Sequence, residues 1–308
     1  MPDNYPTNRS AITLPSDLSE EILQKAQGSS VIMQLAQKVT LPGRGLTIPV
    51  VTGDPEAEWV EETGAKPVSA PGISHKVLAP YTLAVIVPFS NQFRRDLAAL
   101  YDNIVARLPG ALALKFDQTV IGRVNKPGTN FDNFANCTAQ SLVASQDAST
   151  YDGLVAADGD IADQNGLLSG FALSPKGRSI LLSAKDTTGR PIFINSVADG
   201  APDRLLGVPA VFGRGIYKAG VAPVGTGAGT PAIVGVAGDW TQAMYGIAKD
   251  FDISFSDQAT LTYVDENSQT VTINLWQRNM FAVRAEFEVG FVADTSCFNL
   301  LTGAVPTT

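Results

Sequence analysis

Residues 274–291 read NLWQRNMFAVRAEFEVGF. From Phe281 the odd positions carry Phe281, Val283, Ala285, Phe287, Val289 and Phe291, and the even ones Ala282, Arg284, Glu286, Glu288 and Gly290. Successive side chains of a β-strand point to opposite faces, so this period of two predicts a strand with one buried and one wet face. A polar cluster, Gln277, Arg278 and Asn279, stands just before it. A solvated ladder of charges is the default reading of such a polar face, with a working surface as the alternative.

The chain around this strand can bury a sizeable core. Of its 308 residues 44% are hydrophobic and only 17% charged, which excludes wholesale disorder. Its net charge of -8 leaves no basic footprint for nucleic acid over the whole chain. A surface so poor in charge is expected where other protein covers much of it, so an assembly is expected. Cys137 and Cys297 are the only cysteines, too few for a disulfide framework, and are expected as buried free thiols in a reducing compartment. The start, MPDNYPTNRS, shows no secretory signal. The apolar run YTLAVIV falls far short of the ~20 residues a membrane span needs. A cytosolic chain without membrane contact is the expectation.

Working outward, TVTINLW and FDISFSDQATLTYV predict two strands joined by the turn DENS. The clearest helix is 96–124, with Leu97, Leu100, Ile104, Leu108, Leu112, Phe116 and Val120 along one stripe. It would be roughly 40 Å long, with a bend expected at Pro109 and Gly110. Residues 17–27 predict a short helix capped by Asp17, and 30–50 strand material broken at Pro42-Gly43. Residues 51–80 are rich in Gly, Pro and charge with Trp59 as their one large anchor, too poor to form a core. Ser174 and Pro175 open a helix in SPKGRSILLSAKD, while IFIN and LLGVPAVF read as single strands. The class is α+β.

Most catalytic chemistry is excluded. His75 is the only histidine, which rules out His-rich metal sites and leaves a Ser-His-Asp triad without a supporting motif. GTGAG at 225–229 precedes a strand where a dinucleotide loop needs a helix. DGDIADQNG at 158–166 fails the calcium template at Ala162 and reads as a turn. No metal and no cofactor is expected, and a β-rich hydrolase would lack a catalytic constellation.

The order of parts is distinctive: a polar arm, a long charged loop with Trp59 and an AKP step, a helix ending LALKFDQTVIGRV, then LSPKGRSILLSAKDTTGRPIF, LLGVPAV and LWQRNMFAVRAEFEVGF. It resembles the major capsid proteins of tailed bacteriophages, the Hong Kong 97 fold. The resemblance implies an N-arm (1–28), a peripheral domain (29–129 and 249–290) with an E-loop at about 45–82 and a spine helix at about 93–125, and an axial domain (130–248 and 291–308). It implies a homo-oligomer of pentamers and hexamers, a shell around double-stranded DNA assembled in the bacterial cytoplasm, and portal and decoration proteins as partners. Because the chain begins almost directly with the arm, scaffolding is expected from a separate protein. An encapsulin-type compartment is the alternative within the fold.

Some of these shells weld themselves by isopeptide bonds, and the motif positions match Lys66 as the lysine, Asn279 as the asparagine and Glu286 as the assisting carboxylate. Lys66 would have to be neutral to attack, which calls for a desolvated pocket, and Glu286 would accept a proton. In one regular strand Asn279 and Glu286 would face opposite sides roughly 23 Å apart, so three subunits would have to meet. Ordinary hydrogen bonds and a surface Arg284–Glu286 pair are the plainer reading of the same residues.

Overall fold

The computed structural model describes residues 30–43, 45–53, 59, 60, 66, 68, 72–90, 97–143, 149–186, 188–193, 204–223, 227–264 and 268–306. The arm and the helix expected at 17–27 lie outside them, as do Asp265, Glu266 and Asn267 of the DENS turn. Along the chain, helix α1 (Val31–Leu35) leads to β1 (Gln37–Thr40), β2 (Leu46–Gly53), β3 (Gly72–Leu78), β4 (Tyr81–Ser90) and the long helix α2 (Leu97–Val120). Then follow β5 (Thr138–Ser141), α3 (Thr150–Ala162), β6 (Gly170–Leu173), α4 (Pro175–Ser183), β7 (Arg204–Leu205), β8 (Val208–Phe212) and β9 (Ile233–Gly238). The last strands are β10 (Ala243–Ser256), β11 (Thr260–Val264), β12 (Thr270–Asn274), β13 (Met280–Ala293) and β14 (Phe298–Thr302).

The opening stretch supplies β13, inside a four-stranded sheet of order β1-β10-β13-β4. All six odd residues from Phe281 to Phe291 are buried, against Leu108, Leu112, Phe116 and Val120 of α2. Each of the Phe, Val and Leu side chains among them contributes about 1.5–3 kcal/mol on burial, so this layer dominates the first core. The wet face is shorter than the alternation predicts. Ala282 is covered by Ile273 and Leu275 of the β11–β12 hairpin. Val292 packs with Leu41 and Leu78, and Gly290 lies so close beneath Ala79 that a Cβ there would stand 2.5 Å from its carbonyl oxygen. Only Arg284, Glu286 and Glu288 remain on the open face.

α2 runs through Pro109 and Gly110 as one helix and ends at Val120, short of the expected 124–125. Gly122, at φ +77° and against Ala135, turns the chain there. Residues 31–35, expected as strand, are helical because a distant carboxylate caps them. Asp117 of α2 accepts from Ser30 Oγ (2.6 Å) and the backbone N–H groups of Val31 (3.1 Å) and Ile32 (3.4 Å), while Ser30 Oγ accepts from Met33 N–H. Burial outweighs these hydrogen bonds and pushes the Asp117 carboxyl up to about 7.

The second sheet has the order β5-β14-β9-β6-β8-β7. On one face α3 and α4 bury Leu154, Ala157, Ile161 and Leu181 with Phe171, Leu173, Val234 and Leu301. From the other face Ala172, Val236, Phe298 and Leu300 join the first core. Three expectations fail here. Residues 158–162, expected as a turn, belong to α3, which starts with a Ser149–Asp152 capping box. LLGVPAVF is a hairpin, β7–β8, turning at Leu206 and Gly207 with φ +50° and +84°. Ile192 and Phe193 of IFIN are not strand. FDISFSDQATLTYV likewise divides between the end of β10 and β11.

The sheets exchange strands at one joint. β9 passes to β10 through Trp240–Gln242 and β13 to β14 through Thr295–Cys297, each one 3-10 turn. Asp239 and Asp294 cap these turns, accepting from Thr241 and Ser296 N–H. The crossings bond to each other, Asp239 N–H donating to Cys297 O and Asp294 N–H to Gln242 O, both at 3.1 Å. Phe134, stacked on Phe298 at 4.5 Å and edge-on to Trp240 and Phe291, fills the joint.

Candidate functional site

Glu286 stands in mid-β13 between Asp252 of β10 and Ala84 of β4. β10 carries two irregularities against β13, one on each side of Lys249. Each inserts one residue, so the pair shifts the local register and restores the alternation beyond it. Lys249 falls opposite Glu288, and its Nζ lies 3.3 Å from Glu286 Oε1 and 3.2 Å from Asp252 Oδ2. Arg284 Nε sits 3.5 Å from Glu286 Oε2 and donates to Ser254 Oγ at 3.1 Å. Asp252 first, then Glu286, hold the Lys249 ammonium above the ordinary lysine range. Lys249 and Arg284 are about half exposed, so each pair is worth about 1 kcal/mol at most. The face is an ion-pair ladder, and Lys249, thirty-seven residues from Glu286 in sequence, is the partner that sequence reading missed.

Asn279 is not in the strand. It closes the turn that precedes β13, exposed, at φ +53°, with its N–H donating to Trp276 O. The expectation that it faces the side opposite Glu286 therefore lapses, because strand parity does not reach it. Asparagine tolerates the left-handed region better than most residues, so its presence here has a backbone reason independent of chemistry. Six strand steps separate Met280 from Glu286, roughly 20 Å, so the distance between the two residues stays too long for one reaction centre. Glu286 meets Lys249 and Arg284, not Lys66 or Asn279.

Lys66 lies between β2 and β3, exposed to solvent. Its neighbours Trp59 and Val68 are also bare, at 104% and 97% exposure. The root of this extension is fixed. Leu78 is fully buried, and Lys76 Nζ donates to Ala293 O (2.6 Å) and pairs with Asp132 (3.3 Å). Asp132 also accepts from Ala293 N–H, so one carboxylate ties β3 to the end of β13. A hairpin anchored at its base with apolar side chains in water farther out is shaped to lie on something outside its own fold.

Neither thiol pairs: Cys297 is buried, while Cys137 is only half buried, against the expectation for it. Burial first, then the nearby Asp294 charge, pushes the Cys137 thiol up to about 12. Among the described residues no group of three or more His, Cys, Asp or Glu could hold a metal, and no helix is long and apolar enough to cross a membrane.

A sheet braced by a spine helix, a second sheet joined to it by paired crossings and a rooted apolar extension define a structural, shell-building type of protein. The chain matches the model of the phage capsid family over residues 10–301 and belongs to that family. It is 28% identical over 289 residues to the "Probable major capsid protein gp17" of Mycobacterium phage L5, spanning 90% of this chain and 85% of that one. The protein of the same name from Mycobacterium phage D29 is 28% identical over 303 residues, 95% and 90% of the two chains. A solved chain from Mycobacterium phage Adephagia superposes with a TM-score of 0.70 at 22% identity, over 91% and 92% of the two chains. One from Gordonia phage Cozz gives 0.68 at 20% identity, over 99% and 92%. These neighbours show the fold, the α+β capsid fold of the Hong Kong 97 type.

Proposed function

We propose that the chain is the major capsid protein of a tailed phage, a tile that assembles as pentamers and hexamers into an icosahedral shell around double-stranded DNA. The observation that carries this reading is the β2–β3 extension, pinned by Lys76 to Asp132 and Ala293 while Trp59 and Val68 stand in water. In a shell those side chains lie on the next subunit and lose their exposed area. The four-stranded sheet with α2 serves as the peripheral domain (29–129 and 249–290), and the six-stranded sheet as the axial domain (130–248 and 291–308). Scaffolding and a portal complete assembly in the host cytoplasm, and a decoration protein is a further partner of the finished surface. Electron microscopy with nuclease protection tests this. Closed shells holding nuclease-resistant DNA are expected; shells filled with protein alone would favour a compartment, and soluble monomers would overturn both.

A second reading is covalent joining, which the exposure of both Lys66 and Asn279 favours. The neutral Lys66 Nζ attacks Asn279 Cγ on another subunit, a C–N bond forms, and the amide nitrogen leaves as ammonia with one lysine proton. Glu286 of a third subunit relays that proton, exchanging its Lys249 contact for the incoming group. Denaturing electrophoresis of intact particles decides it. A ladder of multimers that Lys66→Ala abolishes is expected, and a single band at 32.4 kDa would end this reading.

A further inference from the structure

Charge is sorted along the chain in a way the fold does not require. Between Lys126 and Lys176 there is no lysine or arginine, yet six aspartates fall there. From Lys176 to Lys218 seven basic residues face three acidic ones. The first run builds β5 and α3, at one edge of the six-stranded sheet; the second builds α4, β7 and β8, towards the other. Arg204 stands exposed on the far edge strand.

Within one protomer some of these charges have partners and others do not. The ion pairs among the described residues join Lys76 to Asp132, Lys249 to Asp252 and Glu286, and Arg284 to Glu286. None involves Asp158, Asp163, Arg178 or Arg204. The end of α3 and the start of α4 lie on either side of β6, four residues or roughly 13 Å, beyond the ~8 Å screening length of physiological salt. They neutralise each other only weakly.

The signs also oppose the helices that carry them. Asp160 and Asp163 sit at the C-terminal end of α3, where the helix dipole is already negative. Lys176 and Arg178 sit in the opening of α4, where it is already positive. Asp160 has an internal use, bonding Gln140 and Asn299, and Lys176 another, bonding the Tyr217 hydroxyl. Asp163 and Arg178 have none among the described residues. Tyr151 and Val155, one turn apart on the outer side of α3, are also open, at 44% and 43% exposure. Side chains that cost the isolated fold and gain nothing inside it fit a contact outside it.

We infer that the six-stranded half meets a second copy of itself head to tail, the acidic α3 side of one chain against the basic α4–β7 side of the next. The partner is this same chain because each copy carries both complementary sides. Such a heterologous contact generates rings when its rotation closes. The inference rests on the shell reading and names the seam within its capsomers.

Charge reversal of one side at a time tests it on the full chain. Asp158→Lys with Asp163→Lys makes both sides basic, and Arg178→Glu with Arg204→Glu makes both acidic. Asp163→Lys and Arg178→Glu suit the helix dipoles better than the native residues do, and Asp158 and Arg204 form no ion pair among the described residues, so circular dichroism and melting should show folded proteins. By native mass spectrometry each double variant should lose the rings that the unaltered chain forms, and the chain carrying all four changes should regain them. An equimolar mixture of the two double variants should close six-membered rings only, because alternating signs cannot close a ring of five. Rings that persist in both double variants, or fail to return in the fourfold one, overturn the seam. Unaltered rings should also dissociate as sodium chloride rises from 50 to 500 mM, and indifference to salt counts equally against it. A chain that forms no ring at all sinks the shell reading instead, and the seam with it.

Discussion

Replacing Asp117 by Asn removes a charge that α2 holds almost wholly out of water, without changing the shape of the side chain. In the unfolded chain this carboxyl ionises near pH 4, whereas in the fold burial holds it protonated to about 7. Between those values the native state binds one proton that the unfolded state has released. Its contribution to stability is therefore complete below pH 4 and is lost as pH rises through 7. A difference of about three pH units at 1.36 kcal/mol each gives roughly 4 kcal/mol across the window. Urea unfolding of the unassembled chain, followed by the fluorescence of buried Trp240, measures it. From pH 4.5 to 7.5 about 3 kcal/mol of this is crossed, so with an m-value of about 3 kcal/mol per molar the midpoint difference between native chain and Asp117→Asn should change by about 1 M. The native chain should lose ground as pH rises while the variant loses less. Parallel pH profiles would refute the reasoning, because they would mean that the three hydrogen bonds fully offset burial.

Three further outcomes are expected. Gly290→Ala should lower the melting temperature by several degrees, roughly 1–3 kcal/mol, because its Cβ would meet the backbone of Ala79, whereas Gly110→Ala, with open space around it, should be neutral or stabilising. An unchanged melt for Gly290→Ala would contradict the close packing of the extension root. Leu206→Asn should stabilise the β7–β8 hairpin by up to about 1 kcal/mol, since asparagine suits the left-handed first position of this turn; a lower melting temperature counts against that. Cys137 should resist an aromatic disulfide reagent at pH 8, with only about one thiol in ten thousand ionised, and react at least a hundredfold faster once unfolded. Rapid labelling of the folded chain would show that the thiol is not held as described.

Where burial and local pattern agree, the fold is legible from sequence. The odd residues of β13 and the stripe Leu108, Leu112, Phe116 and Val120 meet because both periods mark the same core. Ser174 and Pro175 start α4 by local capping alone. α3 was hidden by its Gly and Asp content, which lowers helix propensity, although the Ser149–Asp152 box and the spacing of Leu154, Ala157 and Ile161 were in view. α1 could not be read locally, since two of its three capped N–H groups donate to Asp117, more than eighty residues away. The β7–β8 turn was masked because leucine stands where asparagine would have signalled it. Of the candidate site, Lys66, Asn279 and Glu286 came from resemblance. The register that sets Lys249 against Glu286 depends on two inserted residues in β10, which no periodicity announces.

The paired crossings between the sheets bear on how one sequence can occupy both flat and curved places in a closed surface. A single connecting strand would act as a swivel, and a broad interface as a weld. The two short tethers, capped alike by Asp239 and Asp294 and bonded to each other, run through a core that both sheets share. The aromatic cluster of Phe134, Trp240, Phe291 and Phe298 rivets that seam, and a close-packed interior does not deform continuously. The two halves would then move as one tile, and a change of lattice position would be taken up where copies meet rather than inside the tile.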